Sequence, residues 1–271
     1  LTFGSKFEVC DGSGGADITW DSAANKFLVV VGQSAENSSY DVADAYVLSV
    51  SGTTISSGSR VEVDTSNMYR YGCLAYDEDN NKHLWTYRDN ADSGKLAARI
   101  ITVSGTTPTV GSEAVSDTSS VGGSRPVYIG GGKFVVAYEK SSDLHARVIS
   151  VSGTTPSFGT ESSKIDDCNT NDYQHQIAIT YDRTGKVFVG YLPGVWSAEF
   201  RILTIDTSAN TISAISSETV IGTAKVISAY YDRDTQMHIF GGQKSDSHGF
   251  YRTAVTSDVS TNATTENYIG I

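Results

Sequence analysis

The sequence predicts an all-β fold, a five-bladed β-propeller of four-stranded antiparallel blades, on three observations. The pentapeptide VSGTT occurs at Val50–Thr54, Val103–Thr107 and Val151–Thr155, about fifty residues apart, a period typical of repeat architectures. Around each copy the same order of strand-like runs and polar turns returns. No window sets good helix formers at a 3.6-residue period, and Ser, Thr, Gly and Tyr are abundant where Leu, Met and Pro are scarce.

Each unit reads from an inner strand a to an outer strand d. Strand a ends in an aromatic residue and an aspartate in four units, ITWD, LAYD, ITYD and AYYD, with YIGG in the third. Aspartates that return with the fold (Asp21, Asp77, Asp182 and Asp232) hold turns, because catalysis needs a group once and the architecture needs it in every unit. Strand b is the most apolar run: KFLVVVG, KHLWTYR, KFVVAYE, KVFVGYL and QMHIFGG. Near-continuous apolar character marks a strand covered on both faces, as between two blades. Strand c alternates: DAYVLSV, LAARIITV, LHARVISV, EFRILTI and FYRTAVT. VSGTT is then the c-to-d hairpin, in which Gly supplies a positive φ and Ser and Thr serve the turn's backbone groups. The fourth unit has DTSANT there and the fifth SDVSTNAT. Strand d follows as ISSGSRVEV, PTVGSEAV, PSFGTESS or TISAISSETV.

The units begin near Asp17, Tyr69, Arg125, Gln174 and Lys225, giving blades at about 15–67, 68–120, 121–170, 171–224 and 225–266 in one domain spanning 1–271. The fourth strand of the last blade is the open question. Leu1–Val9 (LTFGSKFEV) matches strand d, above all PSFGTES, and is the favoured partner for the fifth strand c, closing the ring and leaving no open edge. The competing partner is the C-terminal TTENYIGI.

Composition excludes several functions. A formal charge of −11 argues against a nucleic-acid partner, which requires clustered Lys and Arg. No apolar run approaches the length of a membrane span and the first residues do not read as a signal peptide, so membrane insertion is not expected. The three cysteines, Cys10, Cys73 and Cys168, have neither disulfide-framework nor zinc spacing and read as buried thiols. The histidines are scattered, and neither G-x-S-x-G nor a phosphate loop is present. No metal or cofactor is expected.

Candidate binding residues gather where the a strands begin, at one mouth of the channel: Asp17, Tyr69, Arg70, Arg125, Tyr173, Gln174, His175 and Lys225. Of the tryptophans, Trp20 fills the repeated aromatic slot and reads as core, and Trp85 lies in strand b. Trp196 stands in the b-to-c loop LPGVWSAEF, where the other units carry polar turns, and an aromatic there can stack on a sugar or a partner surface. The ligand-binding candidates are therefore Tyr69, Arg70, Arg125, Tyr173, His175 and Trp196. A glycoside hydrolase would need paired carboxylates. Asp17, Asp89 and Glu139 are the set that can be assembled, though only by selection from 31 acidic residues.

The stretches LAYDEDNNKHLWTYRD, ARIITVSGTTPTVGSEAV and ARVISVSGTTPSFGTES resemble tandem repeats of large phage tail-fibre or virion-associated proteins, many of them metagenomic. The resemblance covers most of the chain through repeat scaffolding, and the fourth and fifth units depart from it. It implies a recognition or spacer module of a larger virion or surface protein, extracellular or virion-borne, that binds a surface glycan or protein receptor, and it carries no catalytic residue. A lectin-like carbohydrate binder outside a virus and a propeller glycoside hydrolase or lyase are the alternatives.

Overall fold

The computed structural model describes residues 5–9, 15–34, 41–168, 177–194, 197–222, 226–243, 249–255 and 267–268. Among them every regular element is a β-strand, and all the strand pairings are antiparallel.

The chain divides into two compact units. The first holds residues 1–120 together with the hairpin tip Val151–Ser157. Its sheet runs β1 (Ala16–Asp21), β2 (Lys26–Ser34), β3 (Asp41–Ser51), β4 (Thr54–Ser57), β5 (Val61–Asp77), β6 (Lys82–Asp89), β7 (Lys95–Ser104), β8 (Thr107–Val110) and β9 (Ala114–Val115). Two repeats share this sheet because β5 is continuous. Its start pairs with β3 as the first repeat's strand d, and Gly72–Asp77 pairs with β6 as the second repeat's strand a.

The remaining strands form three sheets, which apart from the tip Val151–Ser157 belong to the second unit. One runs β10 (Ser124–Gly130), β11 (Lys133–Lys140), β12 (Asp143–Ser152) and β13 (Thr155–Phe158), with β14 (Asp166–Asp167) also on β12. The next runs β15 (Ile177–Tyr181), β16 (Lys186–Gly194), β17 (Ser197–Asp206) and β18 (Thr211–Ile215), with β19 (Thr219–Gly222) on β17. The last runs β20 (Val226–Asp232), β21 (Met237–Gln243), β22 (Gly249–Val255) and β23 (Asn267–Tyr268).

This last sheet corrects one expectation. The strand paired with β22 is the C-terminal Asn267–Tyr268, through Phe250 with Tyr268 and Tyr251 with Asn267; of Leu1–Val9, expected there, the described residues Ser5–Val9 make no such pairing. The physical reason is proximity along the chain: a short connection costs less closure entropy than recruiting the far terminus. Among the described residues, Ser5–Val9 form no strand, and Val9 packs instead against Val29, Val31, Tyr46 and Leu48 of the first repeat.

Strand b is the centre of each sheet, as its apolar runs require. β6 is buried from His83 to Tyr87 and β11 from Phe134 to Tyr138. The core lies where successive repeats face each other. Leu28, Val30, Ala45 and Val47 of the first repeat pack with Leu74, Trp85 and Ile101 of the second. Within the second unit, Val135 and Val148 meet Ile179, Val189 and Leu203, and Phe188 and Phe200 meet Ile227 and Phe240. Trp85 is 1% exposed, stacks on Tyr87, and leaves room at Gly72 for no Cβ, which would lie 2.1 Å from its Nε1. Trp20, expected in the core, is 42% exposed instead, because the alternation of β1 turns Ile18 and Trp20 outward together.

The repeated turn has the form its residues dictate. Ser51 pairs with Thr54 and Ser104 with Thr107 across two-residue loops. Gly52, Gly105 and Gly153 have φ of 60°, 62° and 59°, while the threonine after each is outside the positive region, the pattern of a II′ hairpin turn. The repeated aspartates hold the a-to-b turns: Asp21 accepts from Ala24 N–H at 2.8 Å, Asp77 from Asn80 N–H at 3.0 Å, Asp182 from Thr184 N–H at 2.8 Å and Asp232 from Asp234 N–H at 3.1 Å.

Strand d is not one strand but two short pieces broken at a fixed position, at Gly58, Gly111, Gly159 and Ser216. The N–H of each still bonds strand c, to Val47, Ile100, Val148 and Ile202 carbonyls at 2.9, 2.7, 2.7 and 2.9 Å. At the three glycines the next repeat's c-to-d turn presses in. A Cβ on Gly58 would lie 1.9 Å from the Thr106 carbonyl oxygen, on Gly111 2.4 Å from that of Thr154, and on Gly159 2.3 Å from that of Asn210.

Candidate functional site

The most regular polar feature is a cluster of tyrosine, arginine and carboxylate in the second, third and fourth repeats. Strand b supplies Tyr87, Tyr138 or Tyr191, and strand c supplies Arg99, Arg147 or Arg201 two residues along in register. In the third repeat Arg147 donates through Nε to Tyr138 Oη at 3.0 Å, through Nη1 to the Gly159 carbonyl at 3.2 Å and through Nη2 to Glu161 at 3.4 Å. Tyr138 donates to Glu161 at 2.7 Å, and Lys140 pairs with the same carboxylate. Burial raises the Glu161 pKa, but hydrogen bonds from Lys140 and Tyr138 outweigh it and the net shift is downward. In the second repeat Arg99 likewise reaches Tyr87 Oη at 3.2 Å, the Gly111 carbonyl at 3.4 Å and Glu113 at 3.5 Å. Each guanidinium thus spends its fork tying strand c to strand d; Lys140 shares Glu161 in the third repeat, and Asp64 adds a second negative charge near Arg99 in the second.

The fourth repeat brings three carboxylates together. Arg201 Nε bonds Asp166 Oδ2 at 2.9 Å, Nη1 the Ser216 carbonyl at 3.1 Å, and Nη2 lies 3.7 Å from Glu218. Asp166, Glu199 and Glu218 bring carboxylate oxygens within 4.8 Å of one another around this one cation. Tyr191 Oη lies 2.5 Å from Asp166 and 3.3 Å from Glu199. The hydroxyl donates to Asp166 and, at the longer distance, to Glu199, which also accepts from Ser197 Oγ at 3.1 Å. Burial raises the Asp166 pKa, but bonds from Tyr191 and Arg201 outweigh it and hold it low, whereas burial and then the charges of Glu218 and Asp166 push Glu199 up. Side-chain exposures of 18% for Asp166 and Arg201 and 44% for Glu218 leave the cluster open to solvent. Acceptors, a donor fork and hydroxyls at a partly open surface are the chemistry that binds a polyhydroxylated ligand. Arg201 already pairs with Asp166, which leaves Glu199 and Glu218 as the less compensated acids of the group.

The residues singled out from sequence lie elsewhere. Asp17 in β1 accepts from the N–H of Ile18 and of Leu74, both at 2.9 Å. Asp89 is buried, accepts from Ala91 N–H at 2.8 Å, and has its pKa raised, chiefly by burial. Glu139 accepts from Ser142 N–H. Each candidate acid therefore has a backbone partner. Arg125 stands half-buried in β10 opposite Ala137. Tyr69 and Arg70 fall in β5, but their side chains lie outside the described residues, as do Tyr173, Gln174, His175, Trp196 and Lys225 entirely. Sequence reading missed the clusters although their signal was present: Tyr at the sixth position of strand b, Arg in strand c, and Glu two residues beyond the broken position in GSE, GTE and SSE. Cys73 and Cys168 are buried and form no disulfide among the described residues, and burial pushes the Cys168 thiol far up.

No protein-family model matches the sequence, and no curated protein sequence matches it. Solved structures do. The fucose-recognising lectin of Aleuria aurantia, a six-bladed β-propeller, superposes with a TM-score of 0.57 at 13% identity over 94% of this chain and 77% of the lectin. A mutant of AofleA from Arthrobotrys oligospora, with three arginines replaced by alanine, gives 0.59 at 9% identity over 95% and 73%. TolB from Acinetobacter baumannii gives 0.52 at 13% identity over 90% of this chain, which spans about half, 52%, of the TolB chain. At these identities the likeness is one of fold: the chain has the fold of a repeat β-propeller.

Proposed function

We propose that the protein is a non-enzymatic recognition module that binds a polyhydroxylated ligand, a cell-surface glycan, at the fourth-repeat cluster. The observation that supports this reading is the surplus of carboxylates there. Here carboxylate oxygens of Asp166, Glu199 and Glu218 lie within 4.8 Å of one another beside one guanidinium at a partly open surface. Trp196 directly precedes β17 in sequence, which carries Glu199 and Arg201, and is the aromatic candidate for the apolar face that carbohydrate binding uses. That propellers of similar fold include fucose-recognising lectins adds weight to the class of ligand. In this reading the chain forms five blades at about 15–67, 68–120, 121–170, 171–224 and 225–266 in one domain. Its setting is a larger extracellular or virion-borne protein, as the tail-fibre-like repeats imply, with a protein receptor as the competing partner.

The test is a glycan array followed by titration of the strongest hit. Glu199→Gln and Trp196→Ala should each weaken binding by tenfold or more with an unchanged melting temperature. An array without hits, or affinity indifferent to both variants, overturns the reading. Hydrolysis of a chromogenic glycoside panel that Asp17→Asn abolishes would establish the enzyme in its place.

A further inference from the structure

Besides the glycine seats under the c-to-d turns, a polar contact of one kind joins successive repeats at two places. Thr19 Oγ1 in β1 shares a 2.8 Å hydrogen bond with Nδ1 of His83 in β6, and Nε2 of that ring lies 3.2 Å from Asp21 Oδ2. Thr180 Oγ1 in β15 shares one of 2.7 Å with Nδ1 of His238 in β21. The register makes these one contact. Each histidine stands opposite a tyrosine across its a-to-b hairpin, Tyr76 or Tyr231. Each threonine stands two residues before a turn aspartate, Asp21 or Asp182. Both rings are wholly buried. The steps from the second repeat to the third and from the third to the fourth carry neither half. Phe134 and Val187 stand where the histidine would, opposite Tyr128 and Tyr181, and Ala75 and Val127 stand where the threonine would. Val127 packs on the apolar cluster that holds Val187. Threonine in one repeat and histidine in the next are thus present together or absent together, because either alone would bury a polar group without its partner.

We propose that the two histidine contacts are acid-released latches: they hold the first repeat on the second and the fifth on the fourth at neutral pH, and let go as the rings take up a proton, while the hydrocarbon joint of the third and fourth repeats stays shut. A neutral imidazole has one donor and one acceptor nitrogen, which suits a hydroxyl and a carboxylate on either side. A second proton sets a full charge among rings and aliphatic groups. His238 stacks on Phe188, and Tyr231 and the charge of Asp182 also face it. Tyr76 and Asp21 face His83, but Asp21 already accepts from Ala24 N–H and Tyr76 Oη. Burial pulls both imidazoles down further than the carboxylates lift them, His238 to about 4. The folded form prefers the neutral ring, so each latch is whole above the ordinary histidine range and weakens as pH falls through it. A joint that loses its latch opens locally while better-packed elements stay closed. Neither latch includes the fourth-repeat cluster, so an array without hits leaves the inference untouched.

The experiment is amide hydrogen exchange of the full chain at pH 7 and pH 4.5, read by mass spectrometry and normalised at each pH to the unfolded chain. Protection of β1 and β20 should fall tenfold or more at the lower pH, and that of β11 should hold. Loss spread evenly over all the sheets, or no loss at β1 and β20, overturns the proposal. Thr19→Ala combined with His83→Phe gives the first latch the residues found at Ala75 and Phe134, at nearly the same volume. This variant should keep β1 protected at pH 4.5 and leave the loss at β20 unchanged. Acid opening of β1 as in the native chain overturns the proposal too. If that variant fails to fold, Thr180→Ala with His238→Phe puts the same question to the other latch, and the contrast within the native chain still decides.

Discussion

At the scale of single residues, the polar groups that look functional in the sequence are mostly holding backbone. Asp21, Asp77, Asp182 and Asp232 were legible as turn residues because they recur. Arg147 was not, because it serves strand d at Gly159, twelve residues away, and such a pairing has no local signature. Its three bonds use the full planar fork, so Arg147→Lys should not substitute and should cost about 2–3 kcal/mol in urea unfolding. A cost below about 0.5 kcal/mol would mean the fork is not needed. His238 offers a pH test. It is wholly buried, stacks on Phe188 with ring centroids 3.6 Å apart, and shares a 2.7 Å hydrogen bond with Thr180. Burial pulls its pKa down to about 4 from 6.5, against the opposing charge of Asp182. The native state therefore prefers the neutral ring, and the unfolded chain binds the extra proton between pH 6.5 and 4. Stability is complete above that window and falls as acid is added through it, by up to about 3 kcal/mol. Melting temperatures from pH 7 to 4.5 should fall less steeply for His238→Gln than for the native chain, and parallel curves would refute the assignment.

At the scale of elements, the order a, b, c, turn, d was readable because apolar runs, alternation and glycine turns each have their own period. The division of strand d was hidden, since the glycine that breaks it looks like any other glycine of a turn-rich sequence. The two kinds of glycine separate by experiment. Gly105, at φ 62°, has nothing within 4 Å of its would-be Cβ, so Gly105→Val costs only backbone strain, roughly 1–3 kcal/mol, and Gly105→Asn is nearly neutral. Gly111 is outside the positive φ region but has the Thr154 carbonyl in its Cβ position. Both Gly111→Asn and Gly111→Val should therefore destabilise by about 2–3 kcal/mol or more. Chemical denaturation of the four variants checks this, and a tolerated asparagine at 111 would contradict the seat.

At the scale of the whole molecule, the sequence revealed repeat order and fold class but not which terminus completes the last sheet. The cause is that LTFGSKFEV and TTENYIGI both carry outer-strand character, and pattern alone does not rank two such segments. Deleting Leu1–Val9 removes Val9 from the first repeat's outer face. The truncated protein should melt at lower temperature and form soluble oligomers at micromolar concentration, visible by light scattering after size exclusion. A monomer with the native melting profile would show that this face needs no cover.

The glycine seats have an evolutionary consequence. Because Thr106 and Thr154 meet Gly58 and Gly111 through the same backbone contact, a duplicated or deleted copy of the second repeat would find a compatible neighbour on either side. Gene length is free to drift in that stretch by whole repeats without new compensating substitutions. Ser216 stands at the equivalent place before the fifth repeat, so a unit transplanted to follow it would meet a side chain where the earlier repeats have none.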